Sequence, residues 1–245
     1  MPQLFPANPS ASMVIRNVTP NIITMSLPFA RFGIVRFGAR GTLVKLATGS
    51  LAIFSPVSMT PEVREVVQAQ GGNVKYIIAP DMEHHLHITA WKNAFPEAAI
   101  LAPEGLWEKR QKNSEYNDAP FQYVFKKEGS PPTISEEFDA EFDIEYVHAH
   151  GNQQYSKTKD GSTANFLTRL FLPAMSVGNP PTGQRRFIWY LATTDRGAFQ
   201  QSIRRIIRWD FDRLIPCHGD VIETGAKEVF QNVFAWFLQE DHEHV

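Results

Sequence analysis

Val74-Lys-Tyr-Ile-Ile-Ala79-Pro-Asp81-Met-Glu83-His84-His85-Leu-His87 is the stretch on which the reading of this sequence turns. Its first six residues are apolar apart from Lys75, as in a strand buried on both faces of a sheet. Three histidines and two carboxylates then follow within eight positions. Polar chemistry therefore begins where a buried strand ends. Upstream, Thr60 before Pro61 and Glu62 is a good N-cap with proline at N1, and Val63, Val66 and Val67 mark one helical face until Gly71 and Gly72 stop it. Downstream, Ile88 to Phe95 predicts a short helix, Ala98 to Ala102 a strand and Glu104 to Lys112 another helix. Such β-α-β-α alternation implies a sheet covered by helices.

Working outward, Thr42 to Leu46 and Leu51 to Phe54 flank Thr48, Gly49 and Ser50 as a hairpin would. Residues 113–137, with adjacent Pro131 and Pro132, read as an irregular insertion, and 152–186 as a second one that caps the site, because Pro173, Pro180 and Pro181 forbid a long regular element. Glu141 to Val147 predicts a strand ending in His148-Ala-His150-Gly151. Phe187 to Ala192 predicts another, and Phe199, Ile203, Ile206 and Ile207 recur at helical spacing after Asp195, which suits a helix N-cap. Leu214 and Ile215 open a last short strand that ends in Pro216-Cys-His218-Gly-Asp220, and Thr224 is the expected cap of the closing helix.

Composition bounds the function classes. With 245 residues, of which 43% are hydrophobic and 20% charged, the chain can bury a full core, and 1–245 reads as one domain. A net charge of -2 with dispersed Lys and Arg gives no field to gather phosphate backbones, so nucleic acid is not an expected partner. Cys217 is the only cysteine, which excludes an intrachain disulfide and fits a reducing, cytoplasmic compartment. Pro2, Pro6 and Pro9 would interrupt a signal-peptide helix. No run of about 18 uncharged apolar residues suggests a membrane span. An oligomer is compatible with all of this.

Of eight histidines, six fall into three groups, each just after an apolar strand. Neutral imidazole is a preferred ligand of zinc, iron and nickel, and strand ends carry side chains from distant segments to one edge of a sheet. His84, His85, His148, His150 and His218 are therefore the candidate metal ligands, with His84 against His85 and His148 against His150 left as alternatives. Asp81 and Glu83 are candidates to accept a proton from water, or Asp81 and Asp220 to orient the histidines. Cys217 beside a buried strand reads as inert packing.

The order of these groups resembles the metallo-β-lactamase superfamily, in which a strand is followed by His-x-His-x-Asp-His, a later strand by a single His, and a C-terminal strand by His-Gly. The closest correspondence is Asp212-Arg-Leu-Ile-Pro-Cys-His218-Gly-Asp220, and the Glu83-His84 run with the block from Trp209 to Asp220 resembles a divergent branch of fungal and plant type. The first motif departs from the pattern: on Ala79-Pro-Asp-Met-Glu-His84 the two leading histidines become Ala79 and Asp81 and the aspartate becomes Glu83. A one-residue shift instead keeps His85 and puts Pro80 and Met82 in place of the leading pair. The resemblance implies an α/β fold, a metallo-β-lactamase-like αββα sandwich. It also implies one divalent metal, with zinc first and iron or manganese as alternatives, held by Glu83 or Asp81, His84, His218 and one of His148 and His150. The expected activity is hydrolysis of a small ester, lactone or related acyl substrate. Its rivals are a non-hydrolytic mononuclear metalloenzyme and a metal-free binding protein that keeps the fold.

Overall fold

The computed structural model describes residues 4–31, 35–116, 118, 120–126, 131–145, 147, 181–193 and 195–239. The chain divides into two compact units, one built from Gln3–Phe29 with Ala39–Ile144, the other from Ala30–Gly38 with Glu145–Val245.

Seven strands form one sheet in consecutive order: β1 (Val14–Thr19), β2 (Ile22–Arg31), β3 (Val35–Lys45), β4 (Leu51–Phe54), β5 (Val74–Ile78), β6 (Ala99–Pro103) and β7 (Tyr123–Phe125). β1 pairs antiparallel with β2, and β3 with β4 across the expected hairpin, where Gly49 takes the turn at φ 87°. From β4 onward the pairing is parallel. Parallel neighbours need crossover connections, and here the crossovers are the helices the sequence predicts: α1 (Pro61–Ala69), α2 (Ile88–Ala94) and α3 (Leu106–Gln111). Thr60 caps α1 by accepting the Val63 N–H, and Val63 and Val67 are the face it buries. Because β4, β5 and β6 run the same way, their C-terminal ends gather on one edge. The core beneath joins Leu43, Leu51, Ile53, Ile77, Trp91 and Leu106.

Two expectations fail in this unit. The stretch 113–137 is not irregular throughout, because Tyr123–Phe125 adds the seventh strand in register with Leu101–Pro103, and three residues are too few to show a period. Residues 141–144, like 145 and 147 in the second unit, form no strand. Helix α4 (Glu136–Asp139) precedes them, and the Phe142 N–H bonds back to the Phe138 carbonyl at 3.0 Å, continuing the turn while the two rings pack at 4.5 Å.

The second unit holds α5 (Thr182–Phe187), α6 (Arg196–Ile206), α7 (Ala226–Val233) and α8 (Ala235–Leu238) around Ile188, Phe199, Ile203, Phe230 and Phe237. The expected strand at Phe187–Ala192 is instead helical, with Ile188–Ala192 widened to a π turn. Burial explains why: Ile188 and Ala192 are buried while Tyr190 and Leu191 are 66% and 72% exposed, which is spacing of four and not the alternation of a strand. Asp195 caps α6 by accepting the Ala198 N–H at 2.9 Å. Leu214 makes only a bridge to Ile222, and the N-cap of α7 is Gly225, at φ 69°, in place of Thr224; the Asp212 carboxylate takes the Gly225 N–H.

Where β4 and β5 begin, Glu137 gathers four donors: Thr48 Oγ1 at 2.6 Å, Ser50 Oγ at 2.9 Å, Lys75 Nζ at 2.9 Å and the Tyr76 hydroxyl at 2.7 Å. The hydrogen bonds from Thr48, Lys75 and Tyr76 hold its carboxyl at about 2, against an ordinary 4.5, and outweigh the opposing effect of burial. The folded pKa lies below the unfolded one, so this stability is complete above about pH 4.5 and is lost as pH falls toward about 2. Glu137→Gln should cost about 2 kcal/mol at neutral pH by urea denaturation. The gap from wild type should narrow through that acid window. Separately, buried Trp91 donates Nε1–H to the Val57 carbonyl at 2.7 Å. Trp91→Phe leaves that carbonyl without its donor and should cost about 2 kcal/mol, against about 3–5 for Trp91→Ala, by the same measurement.

Candidate functional site

The strand-end edge begins at Ser55, just past β4, the one described non-glycine residue with positive φ, at 51°. Its N–H bonds the Ile78 carbonyl at the end of β5 at 2.9 Å, which pins the exits of the two strands together. The chain after β5 then folds on Asp81. One carboxylate oxygen accepts the backbone N–H groups of Glu83 and His84 at 2.7 and 2.9 Å, and the other meets His84 Nδ1 at 2.6 Å. Burial pushes the Asp81 pKa up, but the hydrogen bond and charge of His84 and the two backbone donors prevail and hold it at about 2. Asp81 is thus an anion whose oxygens are committed, which suits orienting His84 better than taking a proton. Because a carboxylate accepts, His84 Nδ1 donates, and in the neutral ring the lone pair lies on Nε2.

Glu83 is exposed and meets Lys109 Nζ at 3.3 Å, while the same ammonium donates to the Met82 carbonyl. His85 is buried and has a different partner: Arg110 Nη1 lies 3.0 Å from its Nδ1 and also donates to its carbonyl. Burial first, then the charges of Arg110 and Lys109, lower the His85 pKa to about 4. Burial alone does the same to His87, whose Nε2 is 3.4 Å from Ser58 Oγ and whose ring meets Phe5 edge-on.

Arg110 is the centre of a buried network. Its Nε donates to Asp118 and its Nη2 to Thr89 Oγ1 at 2.6 Å, and the Thr89 hydroxyl donates to the other Asp118 oxygen at 2.8 Å. Tyr116 lies under the guanidinium, 3.8 Å from its centre. The sequence reading missed all four residues. Lys109-Arg-Gln-Lys112 reads as the solvated end of a helix, and the one available sign is that Arg110 stands a turn beyond Leu106 on the buried face of α3.

In the second unit His218 is buried and its Nδ1 donates to the Gly38 carbonyl. Gly219 at φ 84° makes the turn that follows, a conformation that excludes a side chain at low cost and explains the His-Gly pair. Asp220 is exposed. His148 and His150 lie outside the described residues. The structure brings Asp81, Glu83, His84 and His85 onto one loop; among the described residues no group of three or more His, Cys, Asp or Glu stands ready around an ion position.

Residues 31–142 match a family described as a domain of unknown function, DUF4336. That match spans the strand-end loop and stops short of His148, His150 and His218. No curated protein sequence matches the chain. Among solved structures, the chain is similar to DIM-1 metallo-β-lactamase exposed to ceftazidime, with a TM-score of 0.52 at 11% identity, covering 91% of this chain and 97% of that one. It is similar to a metallo-β-lactamase from Pontibacter korlensis at 0.51 and 10%, covering 93% and 100%, and to metallo-β-lactamase IND-7 at 0.51 and 12%, covering 91% and 98%. At such identities the likeness speaks for the fold alone: the chain has an α/β, metallo-β-lactamase-like fold.

Proposed function

We propose that the protein is a metal-dependent hydrolase of a small ester, lactone or related acyl substrate. The observation that carries this reading is the shared protonation pattern of His84 and His218, each with Nδ1–H given to an oxygen and the neutral ring's lone pair on Nε2. Histidines that ligate metals are held in this way, by a carboxylate or a backbone carbonyl. The donor chemistry therefore fits a divalent metal such as zinc, with His148 or His150 as a third imidazole. A metal bound there supplies Lewis acidity, polarising a carbonyl and bringing water to a pKa of about 7.

The chain's own residues do the rest. Asp81 keeps the His84 ring in place and in one tautomer. Glu83, exposed and paired with Lys109, is the carboxylate better placed to receive a proton from water, and Lys109 holds it near the loop. The substrate is a small molecule. No helix among the described residues is long and apolar enough to cross a membrane, and the protein is proposed to act in the cytoplasm.

Elemental analysis of untagged protein purified without chelator tests the reading. About one metal per chain is expected, lost in His84→Ala and in His218→Ala, with ester or lactone hydrolysis lost in parallel. Asp81→Asn should weaken the metal by about 10- to 100-fold without abolishing binding. Absence of metal after reconstitution would sink the proposal, and iron with oxygen-dependent turnover would replace hydrolysis by a non-hydrolytic reaction.

A further inference from the structure

The guanidinium of Arg110 carries only donors, so whatever nitrogen faces it must present a lone pair. The ring nitrogen that faces it, at 3.0 Å, is His85 Nδ1. The neutral His85 ring therefore carries its proton on Nε2, the reverse of His84 and His218. Arg110 cannot turn away to release it: Nε is held by Asp118, Nη2 by Thr89, and Nη1 also by the His85 carbonyl. Both charged side chains are shut from water, at 0% and 4% exposure, so breaking the arrangement would strand a buried charge. Tyr116 fixes the ring plane, stacking on the guanidinium and meeting the imidazole at 81°. Among the described residues no group accepts the His85 Nε2–H, and that nitrogen is not sealed from solvent.

We propose that Arg110 is a positioning residue that locks His85 as an Nε2–H donor, so that His85 offers a hydrogen bond to an oxygen atom of the substrate and is not a metal ligand. The tautomer follows from the Arg110 network by itself; the donor role rests on the hydrolase reading. A protonated nitrogen has no lone pair for a metal, but it is suited to a carbonyl or carboxylate oxygen that gains charge during acyl transfer. The loop would then divide its work, His84 toward a metal and His85 toward the substrate.

Long-range proton–nitrogen NMR of the metal-free, nitrogen-15-labelled protein reads the tautomer directly, with His85→Gln assigning the ring signals. The expected spectrum has an unprotonated Nδ1 and a protonated Nε2. Arg110→Met combined with Asp118→Leu removes both charges together and should give a mixture of tautomers. His85→Gln should keep wild-type metal content, since a glutamine amide can donate where Nε2–H stood. With p-nitrophenyl acetate, His85→Ala should lower kcat/KM by about 100-fold and His85→Gln should restore most of it. An Nδ1–H tautomer in wild type overturns the proposal, as does loss of metal in His85→Gln. If wild type binds no metal the hydrolase reading fails, and the spectrum still decides the tautomer.

Discussion

Arg110 has no side-chain surface in contact with water, and a buried guanidinium is tolerable only when its donors are matched. That condition organises the strand-end edge of the first unit. It draws Asp118 inward from the chain leading to β7, engages Thr89 in the first turn of α2, and takes both the ring and the carbonyl of His85. The 85–89 stretch and the chain leading to β7 are thereby joined around one charge on α3. The loop after β5 gains a fixed shape without regular secondary structure, which is what a site built on a loop needs.

Adjacent histidines on that loop differ because their partners differ in kind. A carboxylate accepts, so His84 shows its lone pair at Nε2; a guanidinium donates, so His85 shows its proton there. The backbone carbonyl of Gly38 puts His218 in the first class. Identical side chains are thus sorted into acceptor and donor by neighbours one shell away. Asp81 carries out its part through its own short range: two backbone N–H groups and one ring within three residues, enough to hold its charge against partial burial.

The far end of the parallel strands is fixed by the opposite charge logic. There a carboxylate, Glu137, draws hydroxyls and an ammonium from the β3–β4 turn and from β5 onto α4. The two ends together explain how β5, only five residues long, is held at both termini. Its middle is secured by apolar burial of Tyr76, Ile77 and Ile78.

Local pattern settled what depends on local physics. Val74–Ile78 is apolar apart from Lys75 because parallel strands are covered on both faces, Thr60 and Pro61 fix the start of α1, Gly49 the hairpin turn and Asp195 the start of α6. These features made the α/β class and the histidine-bearing strand end legible from residue order alone. Phe187–Ala192 differs because β-branched and aromatic residues favour strands in isolation, while packing of Ile188 into the second core, with Ala192 buried one turn on, selects a helix. The Arg110 network was invisible for a deeper reason. Nothing in a run of Lys, Arg and Gln says which cation will be buried; that is decided by Asp118, Thr89 and Tyr116, which only the folded chain brings to it. The sequence by itself determined that histidines follow the buried strand β5, and the tertiary structure alone decided which nitrogen of His84, His85 and His218 carries the proton, because a tautomer is set by the partner across space and not by the neighbour in the chain.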